Sequence, residues 1–238
     1  MAKTFKISKT AVARRVKKMV DIKAGLLKDA AKLPIRIMAG NTKTGKKCYT
    51  VSLIPVADCT NCKECMETCY DVRNDCIYKQ VLESRAQNSA IREDSVERYW
   101  AEISKQIAEK KITQLRINVG GDLRSYDYPE LVKCAEANPE CDFLFFTKNY
   151  KEVNEFLDGA EFPKNVQCIF SRWENTPCDN RHNLPTSHVI YLNDDGTVKK
   201  TTATGDYFLC PGNCTECHDN KVGCWVLGPG ESVGFHAH

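Results

Sequence analysis

From Ile112 onward the chain alternates in a way that few folds satisfy. ITQLRINV (112–119), FLFFT (143–147), VQCIFSRW (166–173) and HVIYL (188–192) are short, nearly continuous apolar runs, and helical stretches at 129–137 and 150–157 separate the first three. Upstream, strand-like CYTVSLIPV (48–56) precedes a mostly helical region, 77–111, that divides into two segments. In the second segment Val96, Tyr99, Trp100, Ile103 and Ile107 fall on one helical face. Strands that are apolar throughout are buried on both sides, as in a parallel sheet covered by helices. The expected fold is therefore α/β, either a partial (β/α) barrel or an open, mostly parallel sheet. The units are too few for an eight-fold barrel, which takes about 250 residues.

In either architecture the chemistry collects at the C-terminal strand ends. Gly120-Gly121-Asp122, Thr147-Lys148-Asn149 and Ser171-Arg172-Trp173-Glu174 stand at such ends. Asp122, Lys148, Arg172 and Glu174 are thereby candidate catalytic residues, with Arg124 beside them. Gly120, Gly121 and Asp122 are candidate cofactor-binding residues. A glycine pair after a strand serves equally well as a tight turn that needs positive φ.

Residues 1–47 hold 14 Lys or Arg against Asp21 and Asp29, a net +12 in a chain whose formal charge is only +3. Ser8 to Lys32 reads as a helix, with Val12, Val16, Met19 and Val20 at helical spacing and Leu33-Pro34 ending it. The expected division is a basic helical arm over 1–40 and a single α/β domain over 41–238. A basic arm on an acidic body suggests nucleic acid as a partner, or else covers the body's own acidic surface. No apolar run is long enough to span a membrane, and MAKTFKISKT lacks the apolar core of a secretory signal, so a cytoplasmic protein is expected.

A reducing compartment gives the 14 cysteines metal or catalytic roles rather than disulfides. Eight of them form two groups. Cys59, Cys62, Cys65 and Cys69 are spaced C-x2-C-x2-C-x3-C, the run of bacterial ferredoxins with Tyr70 in place of proline. Such short spacing suits a four-iron cluster, whereas structural zinc usually takes two knuckles separated by a longer loop. Cys210, Cys214, Cys217 and Cys224 form the second group, with His218 inside it keeping zinc or mixed ligation open. These eight are the candidate metal ligands, for one or two four-iron clusters or, alternatively, zinc. Scattered cysteines such as Cys48 read as small buried hydrophobes.

The succession NTKTG, CYTVSLIP, a cysteine group ending Cys69-Tyr70, LRINVGGDLRS, FFTKN and a terminal group ending Cys224-Trp225 resembles the phage gene product 88 family over roughly residues 40–226. That family implies no particular activity. A more distant similarity is to the radical SAM barrel. Cys210, Cys214 and Cys217 have its C-x3-C-x2-C spacing, and RINVGGD (116–122) is similar to its GGE-type strand end, with Asp122 in the acid's place. The chain departs from it at Glu216, where an aromatic is usual, and in carrying that group late in the sequence. This similarity implies S-adenosylmethionine as a cofactor and an electron-donor protein as a partner.

Two functional readings follow. The first is an iron–sulfur protein with a radical-SAM-like α/β body, acting in redox or radical chemistry, with an oxidoreductase or radical-SAM-like enzyme as the matching activity. The alternative is a metal-stabilised nucleic-acid-binding protein of phage or plasmid origin, with structural clusters or zinc. No phosphate-binding loop or dinucleotide fingerprint is present.

Overall fold

The structure is a computed structural model that describes residues 8–41, 44–66 and 69–237. Ser8 caps α1 (Lys9–Leu26) by accepting a hydrogen bond from the Ala11 amide, and a 3-10 turn over Leu27–Lys32 follows. The expected helix thus ends six residues early as an α-helix and closes more tightly. Its stripe buries Val12 and Met19, while Val20 is left 40% exposed.

The sheet is open and mixed only at its margin. Strands β1 (Cys48–Val51), β2 (Gln114–Ile117), β3 (Asp142–Thr147), β4 (Val166–Ser171) and β5 (Thr186–Leu192) lie side by side in chain order, all parallel. Then β8 (Ser232–His236) pairs parallel with β5 on one side and with β7 (Phe208–Leu209) on the other. A short β6 (Val198–Lys200) pairs antiparallel with β5. The expected strand at 48–56 is regular only to Val51, because Leu53 turns to bond the Gly120 carbonyl and Ile54 donates to Asp58.

Alternation along the strands divides the sheet into two faces. Tyr49, Val51, Leu115, Ile117, Phe143, Phe145, Cys168 and Phe170 face helices α2 (Lys79–Asp94), α3 (Val96–Lys110), α4 (Tyr128–Glu136) and α5 (Tyr150–Leu157) in the main core. The residues between them include Cys48, Leu144, Phe146 and Ile169, and these pack instead on the segment that carries α6 (Cys214–Asp219), Cys224 and Trp225. Helices α2 to α5 therefore serve one face, and the cysteine-rich tail serves the other.

Helix α2 is buried without being apolar. Gln87 donates to the Pro34 carbonyl, Asn88 bonds the Arg36 backbone and the Ser52 carbonyl, and Arg92 reaches the Asp122 carbonyl and Asp127. These side chains satisfy the backbone groups of irregular segments that no strand could pair, which is what fixes those segments at the strand ends.

Candidate metal centre

The first cysteine group sits on a loop laid across the C-terminal ends of β2, β3 and β4, and several of its polar residues tie it to the segments that follow those strands and to α2. Asp58, just before Cys59, accepts from Ser89 of α2 at 2.5 Å and faces Arg92 at 3.6 Å. Thr60 donates to Asp122 at 2.6 Å, and Asn61, at φ +48°, donates to the Lys148 carbonyl at 2.7 Å. Glu64 accepts from the Asn175 amide at 3.0 Å and from the Thr176 hydroxyl. Beyond Cys69 the backbone takes a π-helical turn over Asp71–Asp75, whose Asp71 forms a buried ion pair with Arg85.

The thiols of this group interact with one another. Cys62 lies between Cys59 and Cys65, and those two hydrogen bonds, with burial, push it far up. Cys65 is drawn down to about 6, first by its hydrogen bond with Cys62 and, against burial, by Lys148. Burial lifts Cys69 to about 12. Burial works against the Lys148 charge, but Cys65, Asp122 and the neighbouring thiols hold it protonated.

The second group is clasped to the other face of the sheet. Asn213 caps α6 by accepting from the Glu216 amide, and the Thr215 amide donates to the Thr44 carbonyl at 3.0 Å. Asp219 accepts from Lys47 and Gln114, and His218 bonds Asp142 through Nε2 at 2.7 Å. Trp225 donates to the Cys214 carbonyl at 2.9 Å and stands edge-on to His218. Cys48 in β1 hydrogen-bonds Cys214, and that contact, followed against burial by Arg116, draws Cys214 down to about 6. Burial raises Cys217 to about 11 and Cys224 to about 12.

One cavity of about 820 Å³ lies between the groups and is lined by all eight cysteines. Of the other residues singled out from the sequence, Gly120, Gly121, Asp122, Lys148 and Arg172 line it, while Glu174 does not and is ion-paired with Lys200 outside. Asp122 is only 4% exposed, and burial raises its pKa while Thr60 and Lys148 oppose the rise. Its carboxylate is occupied by Thr60 and the Leu123 amide, so it holds the first loop to the sheet. Gly121 does take positive φ, +85°. A Cβ on Gly120 would lie 2.1 Å from Asp71 Oδ2.

Arg116 is a cavity residue to which neither the cysteine spacing nor the glycine pair points. It projects from the middle of β2 beside Phe146, its guanidinium 5.1 Å from that ring and 3.9 Å from Cys214 Sγ. A charge inside the apolar run ITQLRINV is the signal that could have found it.

The donor set is all sulfur, the chemistry of iron–sulfur centres and structural zinc. Among the described residues, no three His, Cys, Asp or Glu side chains already stand as they would around a single ion. No helix of the described residues is long and apolar enough to cross a membrane. Searches of curated proteins and of solved structures each returned no match. The family model for gene product 88 matches residues 25–227, which takes in both cysteine groups and the parallel strands β1 to β5, and the chain belongs to that family.

Proposed function

We propose that this chain is an iron–sulfur protein, with a four-iron cluster at each cysteine group, whose cavity hosts redox or radical chemistry. The observation that supports the reading is the convergence of two four-cysteine groups, separated by about 140 residues of sequence, on one cavity at the strand ends. Each group has its own cation, Lys148 for the first and Arg116 for the second. Cys59, Cys62, Cys65 and Cys69 would hold one cluster, and Cys210, Cys214, Cys217 and Cys224 the other. When bound, such clusters pass single electrons, and an iron without a protein ligand accepts S-adenosylmethionine. The residues around them exclude water and set charge: Trp225 and Phe146 close the apolar side, and Gly120 and Gly121 keep the strand end narrow. Arg172 lines the cavity and, among the described residues, forms no carboxylate ion pair, so it would orient an anionic part of a substrate.

The test is purification without oxygen, followed by iron, acid-labile sulfide and absorption. A brown protein with about four or eight irons and equal sulfide is expected, with a spectral change on adding S-adenosylmethionine if one iron is open. A colourless protein holding one or two zinc ions would overturn the reading.

A second reading, nucleic-acid binding, is favoured by one observation: Arg14, Lys18, Lys28 and Lys32 stay exposed along α1 and its 3-10 extension. Binding that weakens steeply with salt and disappears in the Arg14→Gln/Lys18→Gln variant would support it. Salt-independent binding would not.

A further inference from the structure

We infer that Arg116 is the built-in counter-ion of the second cysteine group, so that this group carries its metal as a centre of net negative charge. The inference rests on the cysteines being metal-bound, as proposed above, but not on the metal being iron.

A guanidinium does not lose its proton in a protein, so burying one requires a negative partner. Arg116 leaves the sheet on the face opposite the helices, in the row that runs from Thr50 through Arg116 to Leu144. No carboxylate forms an ion pair with it among the described residues, and its Nε is buried without a hydrogen-bond partner. Its neighbours are the Phe146 ring, Tyr70 and the sulfurs of Cys214, Cys48 and Cys224. Three nearby carboxylates are already engaged: Asp142 by His218, Asp219 by Lys47, and Asp71 by Arg85. The charge that balances Arg116 must therefore come from the sulfurs. In the empty site only the Cys214 thiol, 3.9 Å from the guanidinium, is drawn toward its anionic form. A zinc ion or a four-iron cluster bound by four thiolates supplies more negative charge, because each such centre is a net anion. Arg116 touches no reacting atom in this scheme. It is a positioning residue that favours the loaded, anionic site.

The experiment compares the full chain with Arg116→Gln and Arg116→Lys, each as purified and after stripping with a chelator. Cys214→Ser identifies the share of metal held by the second group. Metal retained against increasing EDTA is expected to be about 10- to 100-fold weaker for Arg116→Gln in that share, and near normal for Arg116→Lys. Once stripped, Arg116→Gln should melt closer to wild type than it does when both are loaded, because the anionic centre that Arg116 faces has gone. A purely structural arginine would instead lower both melting curves alike. Arg116→Met, which keeps a stem against Phe146, is the second neutral variant. Unchanged metal retention in Arg116→Gln overturns the inference, as does failure of both neutral variants to fold without metal. Zinc found in place of iron would sink the iron–sulfur reading and leave this one standing. A wild-type chain that takes up neither zinc nor iron overturns both.

Discussion

Single atoms decide much at the strand ends. Gly120 has no room for a methyl group, because Asp71 Oδ2 would lie 2.1 Å from it and that carboxylate is fixed by Arg85. Gly120→Ala should cost about 1–3 kcal/mol and shift the π-helical turn after Cys69, read as a drop in the urea midpoint together with faster amide exchange over 69–76. Glu152 shows how a carboxylate outside the cavity supports it. Its oxygens accept from Arg124 Nε at 3.1 Å and from the Ser125 amide, bracing the loop after the glycine pair. Burial pushes its pKa up, but Asn149, the Ser125 amide and Arg124 together bring it below the usual carboxylate range. A depressed folded value means the contribution is complete above the unfolded glutamate pKa of about 4.3 and disappears as pH falls through the folded value. Unfolding curves should therefore show wild type and Glu152→Gln converging below about pH 4, from a gap at neutral pH of about 1 kcal/mol or less because the pair is part-exposed.

Among the elements, α1 does two jobs with one set of basic residues. Arg15 turns inward and donates to the Val72 and Arg73 carbonyls at 2.5 and 3.0 Å, and Lys23 pairs with Glu93 at 2.5 Å. Arg15→Ala should cost about 1–2 kcal/mol and loosen the segment after Cys69, whereas Arg14→Ala should leave stability within about 0.5 kcal/mol. Comparing the two melting curves checks this, and it separates docking of α1 from any nucleic-acid contact. The strand–helix units from β2 to β5 were legible because their apolar periods are clear. Helix α2 was legible only as helix. Its buried residues include Ser84, Arg85, Gln87, Asn88, Ser89 and Arg92 beside Leu82, Ala86, Ala90 and Ile91, so polar side chains outnumber the apolar row and blur it. The tail was not legible, since β7 has two residues and β8 is the glycine-containing SVGFH, both too short to show a period. At the site, cysteine spacing pointed to all eight sulfurs. Arg116 and Cys48 were missed because their roles come from strand register: β1 and β2 carry them to the face on which α6 lands.

For the molecule as a whole, the two cysteine groups act as fasteners for different parts of the sheet. The first holds the β2, β3 and β4 ends through Asp122, Lys148 and Glu64, and the second covers the opposite face through Trp225 and α6. On the reading proposed above, metal bound at these sites contributes folding free energy. Stripping with a chelator should lower Tm and open new protease sites within 56–70 and 205–225, with the α3–α4 core resisting longest; limited proteolysis with mass spectrometry checks the order. The sheet also carries a consequence for synthesis. Strand β8 follows every other strand in the sequence yet lies inside the sheet, between β5 and β7. While a ribosome is still making the chain, that place stays vacant and β7 has no neighbour to pair with. The second cysteine group, threaded between β7 and β8, can therefore reach its final form only once translation has passed residue 236, whereas the first group is already in the chain when β2 emerges.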